Sequence, residues 1–242
     1  MGQADARVLT DAPDASNSTD KTAVPVRDAA TVIVLRDAQT RPRVLMGQRG
    51  KSAVFMPSKF VFPGGAVDAV DATIPLARPP APACDARLTD GSGTPPSALL
   101  AAAVRELWEE TGLLLGTRDA RAAVLDAPRG WRGYLATGHL PDGAALEYVF
   151  RAITPPGRPR RFDARFFLVQ AEALASDPDD FSGAEDELSH LQWVGLDEVR
   201  GFDMPFITEV VLSELTARVE GRAVPGVPFF DNSTAESRFR RL

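Results

Sequence analysis

Three glutamates, Glu106, Glu109 and Glu110, stand close together in one stretch of the chain. Their i, i+3 and i+4 spacing places them on one face of a helix, where like charges repel by about 0.2–0.5 kcal/mol per pair. A helix that gathers three carboxylates usually holds a group that neutralises them, and hard divalent cations such as Mg²⁺ take oxygen ligands. The alternative is a solvated, charged helix end, and the glutamates alone would favour it.

The residues around the glutamates predict a helix over 98–111. Its opposite face carries an apolar stripe that must pack on a core, formed by Leu100, Val104, Leu107 and Thr111. Arg105 can pair with Glu109 one turn later. Gly112 follows where a left-handed helix cap favours glycine. The glutamate face is therefore the exposed or ligand-binding side of a helix anchored in the protein.

A second segment upstream weakens the interpretation as a simple charged surface. Residues 60–62 read as a short apolar strand, and Pro63 leads into Gly64 and Gly65. Two glycines after a strand allow a tight turn and a close approach of a ligand to the backbone.

Together the two segments resemble the signature of the Nudix hydrolases, which runs Gly, five residues, Glu, seven residues, then Arg-Glu-apolar-x-Glu-Glu-x-Gly-apolar. Gly65 is followed after five residues by Asp71, where the family has Glu. The second half matches in full, at Arg105, Glu106, Leu107, Glu109, Glu110, Gly112 and Leu113. Eight of these nine positions of mixed chemistry agree, which is rare by chance.

The spacer inside the signature departs from the family pattern. Residues 72–104 are 33 residues long instead of seven, and they are rich in alanine and proline. We expect residues 72–96 to form a surface loop that leaves Gly65 close to Glu106, because the prolines disfavour both a helix and a central strand.

The resemblance implies an α/β fold with a mixed β-sheet sandwiched between helices, an α/β/α arrangement. We expect the Nudix domain to span 23–220 and a C-terminal tail to span 221–242. Residues 1–22 have almost no large apolar side chains and predict a disordered tail.

The resemblance also implies the chemistry. The family uses Mg²⁺ or Mn²⁺, and the matching ligands are Gly65, through its carbonyl, and Glu106, Glu109 and Glu110. Arg105, Glu106 and Glu109 are the matching catalytic positions. The general base varies in the family: sometimes it is a signature Glu, and sometimes it is a Glu from a downstream loop. Here 185–187 is such an acidic loop, in which we favour Glu187 over the alternative of a solvated surface turn.

Five arginines cluster after the signature, in an acidic protein, at positions 151, 158, 160, 161 and 165. Arginine binds phosphate in bidentate fashion, so the cluster suggests a substrate clamp. Pairing with Asp163 is the alternative. We assign substrate contacts to Arg49, Gly64 and Arg161.

Residues 55–65 and 153–167 are similar to the Nudix branch that contains the peroxisomal coenzyme A diphosphatases, which also carries a long insertion in the signature. Cleavage of a nucleoside diphosphate-linked substrate follows as an expectation, with coenzyme A or acyl-coenzyme A first and ADP-ribose or another ADP-sugar second. A catalytically silent Nudix domain that binds a nucleotide and regulates another process is the alternative from a different class.

Composition limits the other functions. A formal net charge of −6 and a pI of about 5.1 argue against general nucleic-acid binding. The single cysteine, Cys84, fits a reducing compartment, and we expect a cytoplasmic protein. No stretch approaches 18 apolar residues, so we expect no membrane partner. A homodimer is left open.

Overall fold

The computed structural model describes residues 24–51, 56–234 and 236–242. The predicted tail over 1–22 lies outside these ranges, as does Phe55. Within them, eleven strands form: β1 (Val26–Arg36), β2 (Arg43–Arg49), β3 (Phe60–Val61), β4 (Gly64–Ala66), β5 (Gly116–Arg118), β6 (His139–Pro141), β7 (Glu147–Ile153), β8 (Arg161–Gln170), β9 (Leu188–Gly195), β10 (Pro228–Asp231) and β11 (Arg238–Arg241).

Four α-helices accompany the strands in the described ranges: α1 (Pro82–Thr89), α2 (Pro96–Thr111), α3 (Arg132–Ala136) and α4 (Phe206–Val219). Short 3₁₀ turns span Ala69–Thr73, Ala120–Val124, Gly143–Ala145, Ala171–Ala173 and Val199–Gly201. The predicted helix over 98–111 is α2, which starts two residues earlier because Pro96 occupies its first position, where no amide donor is needed.

Nine strands form one mixed sheet in the order β11-β10-β7-β8-β1-β2-β3, with β4 paired to β1 and β9 paired to β2. Strand β1 is parallel to β8 and antiparallel to β2 and β4. Strands β5 and β6 pair separately.

Strand β1 explains why helices cover both faces of the sheet. Its side chains alternate in direction, so Ala30, Val32 and Val34 belong to the core that contains α2. Ile33 and Leu35 belong to the core that contains α4. The expected α/β/α sandwich is confirmed.

The expected C-terminal tail over 221–242 is wrong. Strand β10 pairs in parallel with β7, and β11 pairs antiparallel with β10. Phe229 is 2% exposed, so this segment contributes to the packed protein.

We had expected the insertion over 72–96 to be a surface loop, and this is wrong for part of it. It contains α1, in which Pro82 occupies the first turn, where proline fits a helix without loss of a hydrogen bond. Leu88 is buried against the core of α2, which gives this short helix its tertiary support. In the part of the chain that the structure describes, no helix is long and apolar enough to cross a membrane.

Candidate active site

Helix α2 presents the glutamates because its other face is fixed in the core. Leu100, Val104 and Leu107 are fully buried. Gly112 ends the helix in the left-handed conformation, at φ 73°, and its amide donates to the Trp108 carbonyl at 2.8 Å. A Cβ at Gly112 would lie 2.9 Å from the backbone of Gly183, so glycine also lets the downstream acidic loop approach the helix end.

The glycine turn lies directly against the glutamates. A Cβ at Gly65 would lie 2.5 Å from the carboxylate of Glu106, so a side chain there would displace it. The Gly64 amide donates to Oε2 of Glu110 at 2.7 Å. The expected proximity of Gly65 and Glu106 is confirmed, although the insertion separates them in sequence.

The buried side chain of Arg105 holds two of the three carboxylates in place. Its side chain is 5% exposed, and its Nη1 donates to Glu106 at 2.9 Å and to Glu109 at 2.8 Å. Its Nη2 donates to the Ala66 carbonyl at 3.0 Å. One guanidinium therefore joins the glycine turn to two of the three glutamates.

Asp71 completes this arrangement. It is fully buried and accepts from Nε and Nη2 of Arg105 at 2.9 and 3.0 Å. Trp131 Nε1 and the Asp68 amide also donate to it, at 3.0 and 2.8 Å. Counting five residues from Gly65 therefore located an aspartate that makes a bidentate pair with the signature arginine.

Trp131 is the residue of this network that sequence reasoning missed. Trp131 is fully buried. Its indole N–H needs a partner when buried, and it finds Asp71. The Pro-Arg-Gly turn before Trp131 gave no signal that it would approach a segment 60 residues upstream.

The buried Asp71–Arg105 pair yields a stability prediction. Replacing Asp71 with Ala is expected to lower the free energy of unfolding by about 3–5 kcal/mol, because a buried guanidinium loses its bidentate partner. Urea denaturation measures this. The matched control is Glu198→Ala, since the Glu198–Arg41 pair is exposed and contributes at most about 1 kcal/mol. Equal small losses in both variants would contradict the structural role of Asp71.

All three glutamates resist ionisation in this setting. Burial raises the pKa of Glu106 to about 7, while Arg105 opposes the increase and Glu109 adds to it. Burial also raises the pKa of Glu109. Burial and then the Glu106 carboxylate raise the pKa of Glu110 well above its usual value. A bound cation would favour the charged forms.

The donor set fits a hard divalent cation. Oε1 of Glu110 is buried and has no hydrogen-bond partner, which is costly for a carboxylate unless another group binds it. In the conformation described, no three Asp, Glu, His or Cys side chains of the described ranges are grouped to hold a metal ion. Arg105 and Gly64 instead hold one oxygen of each glutamate.

Glu187 and Arg49 lie beside each other next to this cluster. Nη2 of Arg49 donates to Oε1 of Glu187 at 2.8 Å, and Glu187 is 56% exposed. The Glu187 carboxylate contributes to the raised pKa of both Glu106 and Glu110, so it is within electrostatic range of the helix face. Antiparallel pairing of Arg49 with Leu188 brings the two residues together.

Arg161 does not lie at this site, and the structure contradicts its expected role as a substrate clamp. Its Nε and Nη2 donate to the carbonyls of Thr154, Asn232 and Ser233 at 3.0–3.3 Å, and it is 8% exposed. In the sheet, Arg161 is paired with Val26 of β1, and Gly65 is paired with Ala30 of the same strand. Val26 and Ala30 are four residues apart, which separates their positions by about 13 Å along β1.

Two further arginines of the cluster are structural as well. Arg151 makes a bidentate pair with Asp163 at 2.9 and 2.7 Å. Arg165 is 1% exposed and pairs with Asp28. The alternative of pairing with Asp163, which we had left open, is observed for Arg151 and Arg165.

Two curated proteins are similar in sequence to this chain. The chain is 29% identical over 191 residues to a Caenorhabditis elegans protein named nudix hydrolase 7, covering 69% of this chain and 51% of that protein. It is 32% identical over 176 residues to acyl-coenzyme A diphosphatase NUDT19 of Homo sapiens, covering 52% of this chain and 47% of that protein. The chain thus spans about half the length of these curated relatives.

Among solved structures, a NUDIX hydrolase from Alicyclobacillus acidocaldarius matches with a TM-score of 0.59 and 28% identity, over 80% of this chain and 92% of that chain. No protein-family model matches the chain. The signature residues, the fold and these relatives make the chain similar to the Nudix hydrolases.

Proposed function

We propose that the protein is a divalent-metal-dependent hydrolase that cleaves the pyrophosphate bond of a nucleoside diphosphate-linked substrate. One observation carries this proposal: Glu106, Glu109 and Glu110 share a helix face against the Gly64–Gly65 turn, with a buried Glu110 oxygen free of partners. A catalytically silent domain has no need of this costly arrangement. Mg²⁺ or Mn²⁺ suits the oxygen donors.

Each residue around the glutamate cluster has a distinct role in the proposed hydrolysis. When bound, the cation neutralises charge on the phosphate oxygens and lowers the pKa of an attacking water. Glu106, Glu109, Glu110 and the Gly65 carbonyl would hold it. Arg105, fixed by Asp71, orients the carboxylates of Glu106 and Glu109. Glu187 accepts the proton of the attacking water as general base, and Arg49 orients Glu187. Gly64 lies against strand β1, where a Cβ would be 2.6 Å from the Ala30 carbonyl oxygen, and its amide holds the Glu110 carboxylate.

Coenzyme A or an acyl-coenzyme A is the substrate we favour, and ADP-ribose is the second. The sequence stretches 55–65 and 153–167 support the coenzyme A branch, and so does the likeness to a relative named as an acyl-coenzyme A diphosphatase. The support from the arginine cluster is withdrawn, because Arg151, Arg161 and Arg165 are engaged within the protein.

A substrate panel tests the choice. Catalytic efficiency in Mg²⁺ is to be compared for coenzyme A, dephospho-coenzyme A, ADP-ribose and NADH. We expect coenzyme A to be turned over most efficiently. We also expect Arg161→Ala to leave the ratio of coenzyme A to dephospho-coenzyme A unchanged, since this side chain bonds the backbone. A clear preference for ADP-ribose would transfer the assignment to the second candidate.

A further inference from the structure

The segment over 126–131 makes a separate approach to the glutamates. Gly130 has a φ of 89°, and a Cβ there would lie 3.1 Å from Oε1 of Glu109 and 3.3 Å from Cδ of Arg105. Glycine adopts this conformation without strain and permits such a close approach. The backbone of this segment is thus part of the wall around the carboxylates.

Several contacts hold the segment in place. The Trp131 ring packs edge to face on Tyr134, with centroids 5.3 Å apart, and its Nε1 donates to Asp71. The Trp131 amide donates to the Pro128 carbonyl at 3.0 Å, and Arg132 donates to the Ala127 carbonyl at 3.2 Å. The turn that precedes Trp131 is therefore fixed relative to Arg105 and Glu109.

Arg129 occupies the outer position of this turn. It is exposed, and within the described ranges it makes no side-chain hydrogen bond or ion pair. Gly130 is its neighbour, and consecutive Cα atoms are about 3.8 Å apart, which places the Arg129 Cα roughly 8 Å or less from Oε1 of Glu109. An extended arginine side chain covers most of that distance.

The charges at the site favour a further positively charged side chain at the position of Arg129. Arg105 is occupied by Asp71, Glu106 and Glu109. Arg49 is occupied by Glu187. An anionic diphosphate that approaches three carboxylates needs further positive charge, and an arginine fork matches phosphate oxygens in bidentate fashion.

We propose that Arg129, presented by the fixed turn beside Glu109, binds a phosphate group of the substrate. This inference rests on the proposed function, because it takes the substrate to be a nucleoside diphosphate derivative. It assigns a substrate-binding residue outside the two signature segments.

The test compares Arg129→Ala and Arg129→Lys with the matched control Arg118→Ala, which removes another exposed arginine without side-chain partners in the described ranges. ADP serves as a probe of binding, measured by isothermal titration calorimetry in Mg²⁺. Circular dichroism verifies that each variant is folded. The KM and kcat of each variant are measured with the best substrate of the panel.

We expect Arg129→Ala to weaken ADP binding and to raise KM by about tenfold or more, the usual effect of losing a hydrogen bond between charged groups. The lysine variant should recover part of the affinity, kcat should change less than threefold, and the control should match the wild type. Wild-type affinity and KM in Arg129→Ala would overturn the inference. If no panel substrate is cleaved but Arg129→Ala still weakens ADP binding selectively, the proposed hydrolysis fails and the phosphate contact stands.

Discussion

Glu110→Gln is expected to lower kcat by about a hundredfold or more while the protein stays folded. Removal of a group that only orients a metal ligand costs roughly 10–100-fold, and Glu110 is proposed as a ligand itself. Its Oε2 is fixed by the Gly64 amide, and its Oε1 is the buried oxygen without a partner. The neutral amide keeps the volume of the side chain but binds a hard cation poorly.

The same substitution should not reduce the stability of the metal-free protein. Burial and the neighbouring Glu106 raise the pKa of Glu110 well above its usual value, so its charge is unfavourable in the folded state. Glu109→Gln should likewise abolish most activity.

Both variants are to be compared with Glu209→Gln, an exposed glutamate on α4. Mn²⁺ affinity, kcat and urea denaturation are the three measurements. Wild-type turnover in Glu109→Gln and Glu110→Gln would show that the assigned site is wrong.

Glu187→Gln is expected to lower kcat by about a hundredfold or more and to leave Mn²⁺ affinity within a few fold of the wild type. General base catalysis contributes roughly 10²–10⁴-fold. Glu187 is exposed to solvent, bonded to Arg49 and within electrostatic range of Glu106 and Glu110. The split between turnover and metal binding separates a proton acceptor from a metal ligand.

The neighbouring loop provides the comparison for Glu187. Glu185 differs in its contacts, because its amide donates to the Glu109 carbonyl at 2.8 Å and fixes the loop through the backbone. Glu185→Gln should therefore keep this anchor and most of the activity. If Glu185→Gln caused the larger loss of kcat, the base would be Glu185 and our choice within 185–187 would be wrong.

Local sequence patterns predicted helix α2 and the close approach of the glycine turn to it. Apolar periodicity and the Gly112 cap define α2, because helix spacing depends on neighbours in the chain. A fixed count of five residues from Gly65 reaches Asp71, which meets Arg105 across the insertion. Such short-range counting works when a rigid turn connects the positions.

Contacts that depend on distant segments were not predictable in the same way. Strand β10 joins the sheet by pairing with β7, which lies more than 70 residues upstream. Because β10 has only four residues, its sequence is too short to show the alternating pattern of a strand. Arg161 bonds the carbonyls of Asn232 and Ser233, so its role depends on that same placement. The approach of Gly130 to Glu109 is of this kind too.

Hydrolysis in ¹⁸O-labelled water tests the central claim most directly. The purified protein is incubated with each of the four panel substrates in Mg²⁺, and the products are analysed by mass spectrometry. We expect cleavage of the pyrophosphate bond with one ¹⁸O atom in a product phosphate, and no cleavage with EDTA or with Glu110→Gln. Products without the label, or equal turnover in Glu110→Gln, would contradict metal-dependent water attack at these glutamates.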